Sequence, residues 1–357
     1  MKVLHILPNR FFIPDWAMLG STKDMFGRIQ FFYDRGIDFD IFAHVKNWIR
    51  LSDDLSFHEL NGYSHIVVEH TYGLKDFEYI KGRWPTAKLI VRAHQSEILH
   101  REDFLTAVRE IKAGAKAEHQ AVNSLQIYRD REEGAARFAD AILSIEPNSS
   151  EQYWRSLGFR GRFLFEPYFL PSVYLQQVSC TPPQQKQRRN QIVCVGSSHP
   201  GPLIIAMVQA FEKAVSSLGK SALPDWRFLV TGPLQEDSSV RIDCGRVEHL
   251  GSVDDLFSLL KESRAIALMS ALGRGFKTKI LDAIMSGAWV IVVPELYHRL
   301  PESVRPFCIV LKQGREALAE AVAEIEEREW PDQNPNEALR SVAYKALESA
   351  FADDPTL

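Results

Sequence analysis

The segment Gly273-Arg274-Gly275-Phe276-Lys277-Thr278-Lys279-Ile280-Leu281-Asp282 carries the densest chemistry in the chain. Two closely spaced glycines let a turn approach a ligand and aim N–H groups at it. The apolar periodicity that follows predicts a helix over residues 276–286, with Lys277 and Lys279 in its first turn. A helix N-terminus favours an anion, and two lysines there add charge. That combination suits a diphosphate. Asp282 lies three residues past Lys279, on the same helix face. Its carboxylate can accept two hydrogen bonds from a ribose diol, or pair with Lys279 in a solvated contact.

Other candidates lie in the first half. His94 follows the apolar run 88–92, at a strand C-terminus, where α/β sheets place ligands. Its alternative is a half-buried imidazole bonded to backbone. Arg92 and Glu97 flank it and read as an ion pair that orients it. Gly20, Ser21 and Thr22 follow the first strand and an apolar loop containing Phe11, Phe12, Ile13 and Trp16. Trp16, Trp48, Tyr72 and Trp84 are rings that can stack on a sugar or fill the core. Asp38-Phe39-Asp40 has the look of a metal-binding D-x-D, but it opens an apolar strand and reads as an edge-strand device. No H-E-x-x-H, G-x-S-x-G, Walker loop or C-x-x-C pair is present among these 357 residues. Neither a metal centre nor a cofactor is expected.

These residues need a scaffold, and the pattern predicts one. Strands are expected at 2–7, 39–43, 65–68, 88–92 and 141–145, with helices at 22–35, 76–82 and 102–138 between them. A βαβ rhythm of this kind builds a parallel sheet covered by helices. A Pro-rich, polar stretch at 171–190 reads as a linker. A second series follows: strands at 191–195, 227–231, 246–250, 265–270, 289–293 and 307–311, with helices at 202–218, 254–262, 276–286 and 315–328. The expected fold class is α/β, two Rossmann-like doubly wound domains facing across a cleft. The first covers 1–170 and the second 191–330. A final helix within 331–357 is expected to pack back on the first domain.

Charge narrows the function class. The net charge is −4, and residues 1–165 balance at 22 basic and 22 acidic, so the excess falls on the second half. No basic field exists to hold nucleic acid. No apolar run approaches the ~20 residues of a membrane span, and the first strand is too short for a signal peptide. A cytoplasmic protein is expected, a setting compatible with peripheral contact at the inner face of a membrane.

The Gly273–Gly287 segment resembles the donor-site signature of GT-B glycosyltransferases, in particular glycosyltransferase family four. Val195-Gly196-Ser197-Ser198 resembles the loop after the first donor-domain strand, and Leu229-Val230-Thr231-Gly232-Pro233 the Gly-rich end of the next. Val91-Arg92-Ala93-His94-Gln95-Ser96-Glu97 resembles an Arg-x-His-x-x-Glu element at a strand end. The resemblance covers most of the chain. It implies a retaining, metal-independent hexosyltransferase that moves a sugar from a nucleotide-sugar donor to a carbohydrate or glycolipid acceptor, in bacterial-type polysaccharide or glycoconjugate synthesis. His94 would then approach the transferred sugar. Gly20, Ser21, Thr22, Arg92 and Glu97 would line the substrate side. Gly196, Ser197, Gly232, Gly273, Arg274, Gly275, Lys277, Lys279 and Asp282 would hold the donor. Two positions depart from the family's usual Glu-x₇-Glu pair: Arg274 inverts a charge, and Asp282 is one methylene shorter. A GT-B-like nucleotide-sugar epimerase, or a non-catalytic nucleotide- or glycan-binding protein, are the alternatives.

Overall fold

Apolar runs bounded by turns become two six-stranded parallel sheets. The computed structural model describes residues 1–8, 20–44, 57, 59–70, 74–146, 149–178, 187–197, 201–219, 221–232 and 245–352. The loop carrying Phe11, Phe12, Ile13 and Trp16 lies outside them, as do Trp48, Tyr72, Ser198, Pro233 and residues 179–186 of the Pro-rich stretch.

The first sheet comprises β1 (Lys2–Pro8), β2 (Asp38–His44), β3 (His65–Glu69), β4 (Lys88–Ala93), β5 (Ala141–Ser144) and β6 (Arg162–Phe165). Its order is β2-β1-β3-β4-β5-β6. The second comprises β7 (Arg189–Cys194), β8 (Arg227–Thr231), β9 (Val247–Gly251), β10 (Ser263–Leu268), β11 (Trp289–Val292) and β12 (Cys308–Val310), in the order β12-β11-β10-β7-β8-β9. Helices cover both faces, so central strands such as β3, β5 and β11 are buried throughout, β11 is wholly apolar, and β3 is apolar between His65 and Glu69. Strand order reverses between β1 and β3 in one sheet and between β7 and β10 in the other. At such switch points the loops leaving the strands diverge and open a crevice. Gly196 and the Gly273 turn follow the two strands that border the second point, and His94 follows β4, one strand beyond the first.

Several helices differ from the expected ones. The run 102–138 splits into Glu97–Glu110 (α3) and Ala115–Phe138 (α4), because Lys112 and Gly114 adopt φ of 53° and 93°. Strand β6 and the helix Ser149–Ser156 went unread: both are short, and β6 is only half-buried. The edge strand β2 carries Asp40, which pairs with Lys2 at 2.8 Å and accepts from Tyr63 Oη at 2.6 Å, an edge role rather than a metal one.

The C-terminal helix Pro335–Phe351 packs on the first sheet. Asn336 Oδ1 accepts the Leu170 N–H at 2.6 Å, and Tyr344 Oη donates to Asp34 at 2.6 Å. Phe31 and Phe32 meet Phe351. Trp84 is 7% exposed and sits in the first-domain core against Phe57 and Tyr63, so it is not a sugar platform.

Candidate functional site

The first-domain wall is built by α1 (Gly20–Asp34) and the ends of β1, β3 and β4. Helix α1 begins at Gly20 rather than at 22, so Gly20, Ser21 and Thr22 form its first turn. One turn on, Asp24 and Arg28 point into the domain and meet a buried charge network. Arg28 holds Asp24 at 2.8 Å and Glu69 Oε2 at 2.7 Å, and reaches Glu166 at 3.0 Å. Arg92 donates to both Asp24 oxygens, at 2.9 and 3.0 Å, and to the Glu166 carbonyl at 2.7 Å. Arg92 therefore does not pair with Glu97. It is fully buried and cannot touch a substrate in this state, because its strand position points under α1, whereas Glu97 opens α3.

His94 is tied at both ring nitrogens. Nε2 bonds Glu69 Oε2 at 2.7 Å, and Nδ1 lies 3.3 Å from Asp24 Oδ2. Burial pushes its pKa below the ordinary value, against the pull of Glu69 and Asp24. Burial also opposes ionisation of Glu69, but Arg28, His5 and His94 hold it well below the usual carboxylate range. Asp24, Glu69 and His94 bring ligand atoms within 4.8 Å of one another, a spacing a metal could use. Here two guanidinium groups already neutralise those carboxylates, so the donor set fits arginine rather than an added divalent cation. Glu69 and Asp24 are the members that sequence reading missed. Their charge inside an apolar strand and a helix was the available signal.

The second-domain wall is the turn after β10. Helix α9 (Lys279–Met285) starts later than the expected 276, so Lys277 stands in the turn itself. Gly273 and Gly275 adopt φ of 85° and 78°, a region L side chains avoid. A Cβ on Gly275 would meet the His94 carbonyl at 2.6 Å, so glycine is required for the two walls to touch. Three successive amides face the first domain. Gly273 N–H donates to Asp103 Oδ2 at 2.9 Å, Arg274 N–H to His100 Nδ1 at 3.2 Å, and Gly275 N–H to Glu146 Oε1 at 2.5 Å. Arg274 itself lies 3.3 Å from Asp103.

The expected Lys279–Asp282 pair is not formed. Lys279 Nζ donates to the Val195 carbonyl at 2.6 Å, pinning the Gly196 loop. Asp282 instead accepts Lys23 Nζ of α1 at 2.5 Å, with both side chains nearly fully buried. The other Asp282 oxygen is buried without a hydrogen-bond partner. The Lys277 ammonium makes no hydrogen bond or ion pair with a described residue, while its carbonyl accepts the Ile280 N–H at 2.8 Å. Burial, then the charges of Arg299 and Lys279, push its pKa down to about 7. His100 falls to about 3 through burial and the charges of Lys277, Arg101 and Arg274. Gly196 N–H donates to Thr231 Oγ1 at 3.1 Å and Gly232 N–H to the Gly251 carbonyl at 2.7 Å, which knits the loops after β7 and β8 together beside Ser197.

Comparison with known proteins bears on the fold that carries these residues. Residues 189–328 match the family model of glycosyl transferases group 1. The whole chain is similar to Anabaena HepE in complex with UDP-glucose, at TM-score 0.52 and 14% identity over 98% of this chain and 94% of that one. It is also similar to the sucrose-phosphate synthase of Thermosynechococcus elongatus, at TM-score 0.56 and 12% identity over 98% and 95%. A trehalose-6-phosphate protein of E. coli bound with UDP-2-fluoro glucose aligns at TM-score 0.58 and 8% identity over 98% and 96%. At these identities the likeness is one of fold. The chain has the two-domain GT-B fold, and its second domain matches the glycosyl transferases group 1 model. Among curated proteins, none matches its sequence.

The structure brings His94, Glu69, Asp24, Gly20, the 273–279 turn and Asp282 to one crevice. Gly20 packs directly against Thr278, so the N-termini of α1 and α9 abut. Thr22 is 1% exposed and belongs to the interior, not to a substrate surface. Glu97 faces His70 Nδ1 at 3.9 Å and accepts from Gln95 at 3.2 Å. His70 has a φ of 65° and stacks on His94 at 4.0 Å; sequence reading did not single it out. Among the described residues, no helix is long and apolar enough to cross a membrane.

Proposed function

We propose that the enzyme moves a hexosyl unit from a nucleotide-sugar donor to a carbohydrate or glycolipid acceptor, with retention and without a metal ion or other cofactor. One observation carries this reading. The turn 273–279 aims three consecutive amides across the cleft beside Lys277, a partly buried ammonium group that makes no hydrogen bond or ion pair with a described residue. Such a set stabilises the charge that develops on a departing diphosphate. It supplies positive charge where other enzymes use a divalent ion, which supports metal independence; retention is carried over from the family resemblance. HepE and the E. coli protein hold UDP-sugars on the same fold, which supports a nucleotide-sugar as donor.

The ligand-free cleft is closed by the protein's own groups. Asp103 and Glu146 sit on the turn amides, and Lys23 covers Asp282. Donor entry then requires the domains to part. A ribose diol replaces the Lys23 ammonium on Asp282, and the diphosphate replaces the carboxylates. Reclosure excludes water from the reacting sugar. His94, held by Glu69 and Asp24, fixes the wall against which Gly275 and the sugar close.

The test is a melting-temperature panel with UDP, GDP, ADP, CMP and their sugars, since a bound ligand raises stability by mass action. At least one nucleotide stabilises the protein, and Lys277→Met diminishes that shift. No shift with any nucleotide removes the donor-site reading. Product formed from the stabilising sugar nucleotide without an acceptor favours an epimerase, and binding without turnover in any acceptor mixture favours a binding protein.

A further inference from the structure

A cavity of about 720 Å3 lies between the domains and adjoins the Gly275 turn. Phe165, Phe276 and Leu300 give it an apolar surface of the kind that packs on the C–H face of a sugar ring. Arg274, Arg299, Arg305 and His298 also line it, against only Glu146 and Glu302. Arg299 and Arg305 are fixed in place by carbonyl oxygens rather than by carboxylates. Arg299 donates to the Ala271 and Gly273 carbonyls, and Arg305 to the Leu300 and His298 carbonyls. Glu146 is committed to the Gly275 amide. The Arg274 Nε is buried without a hydrogen bond, its ion-pair carboxylate Asp103 lying at 3.3 Å. The two arginines also repel each other: burial, then the charge of Arg274, lowers the Arg299 pKa.

A diphosphate does not account for this charge, because Lys277, Lys279 and the turn amides already serve it. A neutral hexose would leave Arg299 and Arg305 with carbonyl partners alone, and Arg274 sharing only Asp103. We propose that this cavity takes a sugar bearing an anionic group, a carboxylate or a phosphate, which Arg274 and Arg299 neutralise beside the Phe276 ring. The proposal rests on the donor-site reading above. The anion has two possible sources: the donor's own sugar, as a uronate, or the acceptor, as a sugar phosphate. Either fits the same bidentate guanidinium chemistry.

Two matched pairs of probes separate the sources. The first is UDP-glucose against UDP-glucuronate, repeated on whichever base the nucleotide panel selects. The second is glucose against glucose 6-phosphate in the presence of the nucleoside diphosphate. Dissociation constants are measured by calorimetry for the unmodified enzyme, Arg274→Gln and Arg274→Lys. The anionic member of one pair binds at least tenfold tighter to the unmodified enzyme. Arg274→Gln cuts that preference below threefold, and Arg274→Lys, which keeps the charge but loses the planar fork, retains only part of it. Equal binding within both pairs overturns the proposal, as does a preference that survives Arg274→Gln. Should Arg274→Gln not fold, the unmodified enzyme and Arg274→Lys decide the matter. A nucleotide that binds without any anionic preference overturns this inference alone. A failure of every nucleotide to bind overturns the donor reading, and this inference with it.

Discussion

Lys23→Met removes one half of the ion pair that ties α1 to α9 across the cleft. The ammonium lies 2.5 Å from Asp282 Oδ2, with the two side chains 1% and 4% exposed. In a rigid interior, deleting one partner of so buried a pair costs about 3–5 kcal/mol, because the other charge is left desolvated. Here the other charge has an escape. The pair spans two domains, so Asp282 regains water when the cleft opens. The cost then appears in the closure equilibrium, and 3 kcal/mol shifts it about 150-fold toward the open form. Three reporters are built in. The amides of Gly273, Arg274 and Gly275 donate to Asp103, His100 and Glu146 only while the cleft is closed. Hydrogen exchange on the ligand-free protein shows these amides exchanging at least tenfold faster in Lys23→Met, while the amides of β3 and β11 stay protected. Small-angle scattering shows a larger radius of gyration. Adding Asp282→Leu to Lys23→Met restores much of the protection, since no buried charge is left to hydrate. Unchanged exchange at the three amides, with unchanged scattering, refutes the claim that this pair holds the cleft shut.

Two further outcomes follow from particular residues. The folded value of Lys277, about 7, lies below its ordinary 10.5, so the unfolded chain holds the extra proton between those values and stability rises with pH across that window. A bound diphosphate favours the ammonium form, so nucleotide affinity falls by up to tenfold per pH unit above about 7; calorimetry across pH reads this, and a slope that survives Lys277→Met rules Lys277 out as its source. His70 pays for a φ of 65° and is repaid partly by stacking on His94. His70→Gly keeps that backbone at no strain, whereas His70→Ala does not, so the glycine variant is more stable by about 1 kcal/mol in denaturant melts; equal stabilities contradict the strain.

The architecture was legible because parallel sheets covered on both faces demand near-continuous apolar strands. Such runs stand out at β1, β3, β4, β7, β10 and β11 without any partner being known. The Gly273–Lys279 turn was legible for a similar reason: glycine spacing and charge at a helix entrance are local properties. What escaped was short or non-local. Strand β6 has four half-buried residues and no pattern that separates it from a loop. The helix break near residue 112 rests on a positive φ at a lysine, which composition does not announce.

The charges divide in the same way. By itself the sequence determined that Lys277 and Lys279 flank a glycine turn, that His94 ends a strand, and that Asp282 sits one helical turn past Lys279. Only the tertiary structure decided their partners. Asp282 pairs with Lys23, 259 residues away, rather than with its helix neighbour, and Arg92 binds Asp24 across 68 residues rather than Glu97 across five. The physical reason is desolvation. On an exposed helix an i,i+3 pair is worth only a few tenths of a kcal/mol, whereas an unmatched charge inside a folded domain costs several. Partners are therefore chosen by which charges the fold buries together, and that is a property of the strand order and of the closed cleft, not of spacing along the chain.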